Sequence, residues 1–125
     1  MSNFQEELKE IELTIEQANG MLDRHESLKR LIDNKDFKEL ILEGFIEKEV
    51  IRAVGLLASA ELMVQGDVPK KMCENILVGS GALTQYFLKI EQMGYSARDA
   101  LANARETQVE VLQEQQDEID RGTSE

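Results

Sequence analysis

The sequence predicts an all-α protein, a bundle of about four helices opened by one long coiled-coil-like helix. Three observations predict this class. Apolar residues recur at steps of three and four along most of the chain, no alternating run reads as a strand, and the turn signals stand about 30 residues apart. At 125 residues and 14.2 kDa the chain suits a single helical domain, 1–125.

The first element spans residues 3–33. Phe4, Leu8, Ile11, Ile15, Ala18, Leu22, His25 and Ile32 fall on alternating steps of four and three, with Lys29 in the one missing place. That is a heptad seam. Such a helix is roughly 45 Å long, more than a domain of this size needs, so a second copy is the expected partner. The expected oligomer interface is Leu8, Ile11, Ile15, Leu22 and His25. Gly20 weakens the helix by about 1 kcal/mol relative to Ala without forbidding it.

Asp33-Asn34-Lys35-Asp36 breaks the pattern, and Asp36 with Glu39 is expected to cap the next helix. Core helices then occupy 36–104. Phe37, Leu40, Ile41, Phe45, Ile46, Val50, Ile51, Val54, Leu57 and Ala58 keep a helical period, with Gly44 as a break between two pieces. Gly66-Asp67-Val68-Pro69 is a stronger boundary: Gly66 suits a left-handed helix end, Asp67 a cap, and Pro69 a first turn. The third helix carries Met72, Ile76, Leu83, Phe87 and Ile90 and is expected to stop near Gly94, where Ser96 and Asp99 open a fourth. That fourth helix has a weaker stripe (Ala97, Leu101, Ala104, Val111, Leu112 and Ile119) and thins into an acidic tail, 105–125, expected to fray.

Charge separates along the chain. Lys and Arg total 14 against 25 Asp and Glu, a net charge of −11 with a pI near 4.6, which argues against sequence-independent nucleic-acid or anionic-membrane binding. Residues 67–104 are neutral and 105–125 carry −5, so the core is expected in the former and the solvated end in the latter. Two acidic clusters, Glu6, Glu7, Glu10, Glu12 and Glu16 and then Glu110, Glu114, Asp117, Glu118 and Asp120, could mimic DNA phosphates or bind a basic protein patch, the second being the candidate partner surface, although a solvated helix face has the same pattern.

Few residues invite chemistry. With one histidine, His25, and one cysteine, Cys73, neither a catalytic pair nor a close-spaced metal site is identifiable, so no enzyme activity, cofactor or metal is expected. The packed boundary position is favoured for His25 over a pH-sensitive contact in an interface. Cys73, Met63, Met72 and Met93 read as adaptable core filling. Gly79-Ser80-Gly81 could line a nucleotide pocket, but no Gly-Lys-Ser or Gly-Lys-Thr follows, and close packing or a kink is favoured. The apolar run 53–60 is far short of a membrane span, and the lone cysteine and the N-terminal residues lead to an expectation of a reducing cytoplasm.

The run 34–45, NKDFKELILEGF, then Glu49-Val50-Ile51-Arg52, and later Gly81-Ala82-Leu83-Thr84-Gln85-Tyr86-Phe87 with Glu91-Gln92-Met93-Gly94, resembles a group of small acidic helical proteins of tailed bacteriophages. The chain is similar to them in size, coiled-coil-like start and acidic end. A departure lies at Ala58-Ser59-Ala60-Glu61-Leu62, where that group is expected to carry a more polar, proline-containing loop. The shared motifs are packing and capping features and mark no chemistry. The resemblance implies a phage protein of the host bacterial cytoplasm, or of the virion, that acts in head assembly through contacts with its own copies and with another phage or host protein. Two alternatives are a small acidic inhibitor of a host enzyme or nucleic-acid-binding protein, and an oligomeric nucleotide sponge.

Overall fold

The computed structural model describes residues 2–59 and 64–123, and every regular element among them is helical. Helix α1 spans Ser2–Asp33. A second rod combines a single α-turn, α2 (Lys35–Phe37), a π-helical stretch (Lys38–Glu49) and α3 (Val50–Leu57) without leaving helical backbone angles. Helix α4 runs from Asp67 to Thr123. Among the described residues three rods therefore stand where about four helices were expected.

The difference lies at Gly94. Sequence reading took this glycine as a stop, yet α4 passes through it as continuous helix. Gly94 is buried, and a β-carbon there would stand 2.7 Å from His25 Cβ, so the glycine serves close packing rather than termination. The breaker after α1 is real, but its cap is Asn34, whose side-chain oxygen accepts from the Phe37 N–H at 3.0 Å. Asp36, the expected cap, lies inside the first turn. At the next boundary Gly66 takes a positive φ of 96°, as a left-handed helix end requires, and Pro69 falls in the first turn of α4.

Gly44 does not break the second rod; it sits within the π-helix. Successive inward positions there, Phe37, Ile41, Phe45 and Val50, lie four or five residues apart, wider than the three-four alternation an α-helix needs. The wider π-helical turn keeps them on one side. A β-carbon on Gly44 would stand 2.8 Å from the Glu39 carbonyl oxygen, so this turn excludes any other residue without a backbone shift.

Contacts within the chain gather in two compact units. The first comprises Met1–Glu26 and Ile90–Glu125. In it α1 and α4 run antiparallel: His25 meets Tyr95 edge-on at 5.2 Å, and Ile11 shares a groove with Ala104 and Val111. Its buried apolar residues are Ala18, Ile90, Ala97, Ala104 and Val111, mostly small, which lets the two backbones approach.

The second unit, Ser27–Lys89, is also antiparallel. Phe37 meets Phe87 edge-on at 5.9 Å, Phe45 reaches Gly79, and Ala53 packs with Cys73 amid Leu56, Leu57, Ile76 and Leu77. Leu28 is buried here while Lys29 is exposed, so the residue at the gap in the α1 seam is Leu28, one position earlier than expected. Of the expected core sulfurs, Cys73 is buried and Met93 half-buried, but Met72 is 63% exposed because it faces away from the second rod. Met63 lies outside the described residues, as do three residues of the 58–62 departure.

Candidate interaction surfaces

The α1 seam finds cover within the chain. His25 is only 3% exposed, with its ring against Gly94 and Tyr95, and the Arg98 guanidinium lies 6.0 Å from the centre of the Tyr95 ring. Leu8, Ile11, Ile15 and Leu22 are half-buried. The side chains expected to meet a second copy thus belong to the core-facing side of the first unit, and their use between copies is a proposal.

Burial on α4 follows an unbroken heptad that the sequence reading cut in two. Cys73, Ile76, Ser80, Leu83, Phe87 and Ile90 continue through Gly94, Ala97, Leu101, Ala104, Gln108, Val111 and Gln115, and each is buried or half-buried. Ser80, Gly94, Gln108 and Gln115, which are not apolar side chains, hid the pattern. Its signal, steps of three and four counted regardless of hydrophobicity, was nevertheless in the sequence.

Beside this seam the first unit carries an open groove of about 580 Å³. Ile11, Ala104 and Val111 supply apolar walls; Thr14, Asn103 and Thr107 add hydroxyl and amide groups. Its acids come from both helices: Glu7 and Glu10 from α1, Glu110 and Glu114 from α4. Antiparallel packing thereby joins two acidic clusters that are a hundred residues apart in sequence. The remaining candidate partner residues, Asp117, Glu118 and Asp120, lie further along α4 and are exposed. Asp117 accepts from Gln113 Nε2 and Asp120 from Gln116 Nε2, each at 3.0 Å. Such a site can hold a cationic, partly apolar surface by charge and burial together.

The other candidate features lack a constructed site. Gly79-Ser80-Gly81 lies inside continuous helix, where backbone N–H groups are committed to the helix and none is left to cradle a phosphate. Ser80 is buried, and Thr84 Oγ1 donates to its carbonyl at 2.9 Å. His25 belongs to the first unit and Cys73 to the second, and no group of three metal-ligating side chains occurs among the described residues. No helix of the described residues is long and apolar enough to cross a membrane.

An ion pair joins Glu49 and Arg52 across the junction of the π-helix and α3, with a 2.7 Å contact from Arg52 Nη2 to Glu49 Oε2. Hydrogen bonding from the guanidinium holds the Glu49 carboxyl below the usual glutamate value, against the opposing effect of desolvation and with a lesser contribution from the Arg52 charge.

Comparison with protein families, with curated proteins and with solved structures finds no match for this chain.

Proposed function

We propose that this chain is a non-enzymatic helical protein that works through protein–protein contacts. The observation that carries the reading is the groove of the first unit, where Glu7, Glu10, Glu110 and Glu114 surround apolar walls. Acidic walls around an apolar floor suit a basic amphipathic segment of another protein: charge steers and orients it, and burial of its apolar side holds it. The resemblance to small acidic proteins of tailed phages supplies the setting, which is head assembly or a minor place in the virion, with self-association of the chain as part of it.

A second reading, an acidic inhibitor that binds a host enzyme or nucleic-acid-binding protein, draws on the same groove. The two differ in where the protein goes. Mass spectrometry of purified particles and of assembly intermediates from cells expressing it should detect the chain in one or both. Its absence from both, while it is present in the cell, favours the inhibitor.

A further inference from the structure

The net charge of the chain resides in one unit. Met1–Glu26 with Ile90–Glu125 holds 5 basic and 16 acidic side chains, a net of −11, whereas Ser27–Lys89 holds 9 of each. Exposed apolar side chains show the opposite bias. Ten of the fifteen large ones among the described residues lie in 27–89. A neutral surface rich in uncovered aliphatic groups is the signature of a contact, not of a solubilising face.

Part of this surface is ordered. Val68, Met72, Asn75, Gly79, Ala82 and Tyr86 follow one another on α4 at steps of four, three, four, three and four, and all six are exposed. None is charged. This is a second heptad row on the same helix, beside the row that packs inside the unit. Its profile is also specific: bulk at the two ends (Val68, Met72 and Tyr86) and small side chains near the middle (Gly79 and Ala82).

We propose that this row is a contact between two copies of the chain, with their α4 helices crossing antiparallel about a two-fold axis near Leu77. The inference rests on the self-association in the proposed function and gives it a location other than α1. A helix row that pairs with itself in this direction sets Val68 opposite Tyr86, Met72 opposite Ala82 and Asn75 opposite Gly79 of the second copy. Large meets small at the centre, so the helices can approach closely. Val78, 71% exposed and otherwise without a role, meets its own counterpart at the axis, and Lys71 faces Gln85 rather than another cation. Charge selects both the occupant and the direction. A neutral patch fits a second neutral patch, and opposite chain directions keep the acidic stretches that follow in the two α4 helices from running alongside one another. Seven residues a side is well below the roughly 20–30 of a stable interface, so the pair is a weak one, filled at high local concentration.

Sedimentation equilibrium of the full chain from micromolar to millimolar concentration tests this. The expected mass climbs from 14.2 kDa toward twice that value, and added NaCl strengthens the association because it screens repulsion between two copies of net charge −11. Met72→Glu with Tyr86→Glu should weaken it by roughly tenfold or more. Both side chains are more than half exposed, so the circular dichroism spectrum should not change. As a second readout, a short bis-maleimide should link Val78→Cys chains to one another but not Leu88→Cys chains, whose thiol is exposed off the row. A monomer at every concentration overturns both the row and self-association. An oligomer indifferent to Met72→Glu with Tyr86→Glu overturns the row and leaves the self-association of the proposed function to another surface.

Discussion

The His25 ring fills the space that a β-carbon on Gly94 would occupy: such an atom would stand 2.5 Å from His25 Cγ and 2.7 Å from its Cβ. Both residues are buried in the first unit, so neither can move aside into solvent. Gly94→Ala should therefore lower stability by about 1–3 kcal/mol, the cost of overpacking, despite the better helix propensity of alanine. Gly20→Ala is the matched control. It lies in α1 with nothing within 4 Å of its added carbon, and should raise stability by up to about 1 kcal/mol. Urea denaturation of both, and of Gly94→Ala combined with His25→Ala, measures the coupling. If the second substitution fails to recover part of the loss, the close contact is not its cause.

How far the sequence reached can be seen at this contact. The heptad in residues 3–33 showed that α1 was long, and it put Ala18 and His25 on the buried row, but a periodic stripe carries no record of what covers it. Expecting a second copy was reasonable for a helix too long for its domain; α4, itself longer than any expected helix, is the cover. Its length was concealed because glycine has two opposite uses. At Gly66 it ends a helix with a positive φ, and at Gly94 it admits a neighbouring ring, and only the packing partner distinguishes them. Both halves of the groove stood out by their charge, and Glu110 and Glu114 belonged to the candidate partner surface. Their union with Glu7 and Glu10 depends on antiparallel register, which single-chain composition does not encode.

Gly44 offers an independent test of the π-helix. Alanine there would bring its β-carbon to 2.8 Å from a backbone oxygen, which cannot rotate away as a side chain could. The expected outcome is a loss of about 1–3 kcal/mol, or a local switch to α-helical bonding that moves Phe37 and Ile41 out of phase with Phe87. Amide exchange across 38–49 separates these. A variant as stable as the parent with unchanged protection in that stretch would contradict the tight Gly44–Glu39 approach.

The Glu49–Arg52 pair makes a prediction about titration. Because Glu49 is held below the usual glutamate value chiefly by the hydrogen bonds from Arg52, Arg52→Gln should raise its midpoint toward the ordinary value, as followed by the side-chain carbonyl resonance. The sign for stability follows: a depressed carboxyl contributes above its unfolded pKa and loses that contribution as pH falls through its folded one. Both partners are open to solvent, so the effect on unfolding should be slight and should fade with salt. A Glu49 midpoint that does not respond to Arg52→Gln would mean that the pair does not persist in solution.

The acidic groove and the end of α4 respond to salt in the direction opposite to the neutral row. A lysine- and leucine-rich helical peptide is a suitable probe, since its attraction to Glu7, Glu10, Glu110 and Glu114 is screened over roughly 8 Å at physiological salt. Binding should weaken as NaCl rises. Replacing the four glutamates by glutamine should remove most of the salt dependence and leave the residue contributed by the apolar walls. Cutting after Gln113 divides the site unevenly. It removes Glu114, Asp117, Glu118 and Asp120 together with Ile119, 53% exposed, but retains Val111, 7% exposed. Helicity per residue and thermal stability should therefore change little, while the loss of peptide binding is greatest at low salt. Unfolding of the truncated chain would assign Ile119 to the core. Peptide binding indifferent to both salt and truncation would move the contact off the acidic groups and onto uncharged side chains of the first helix.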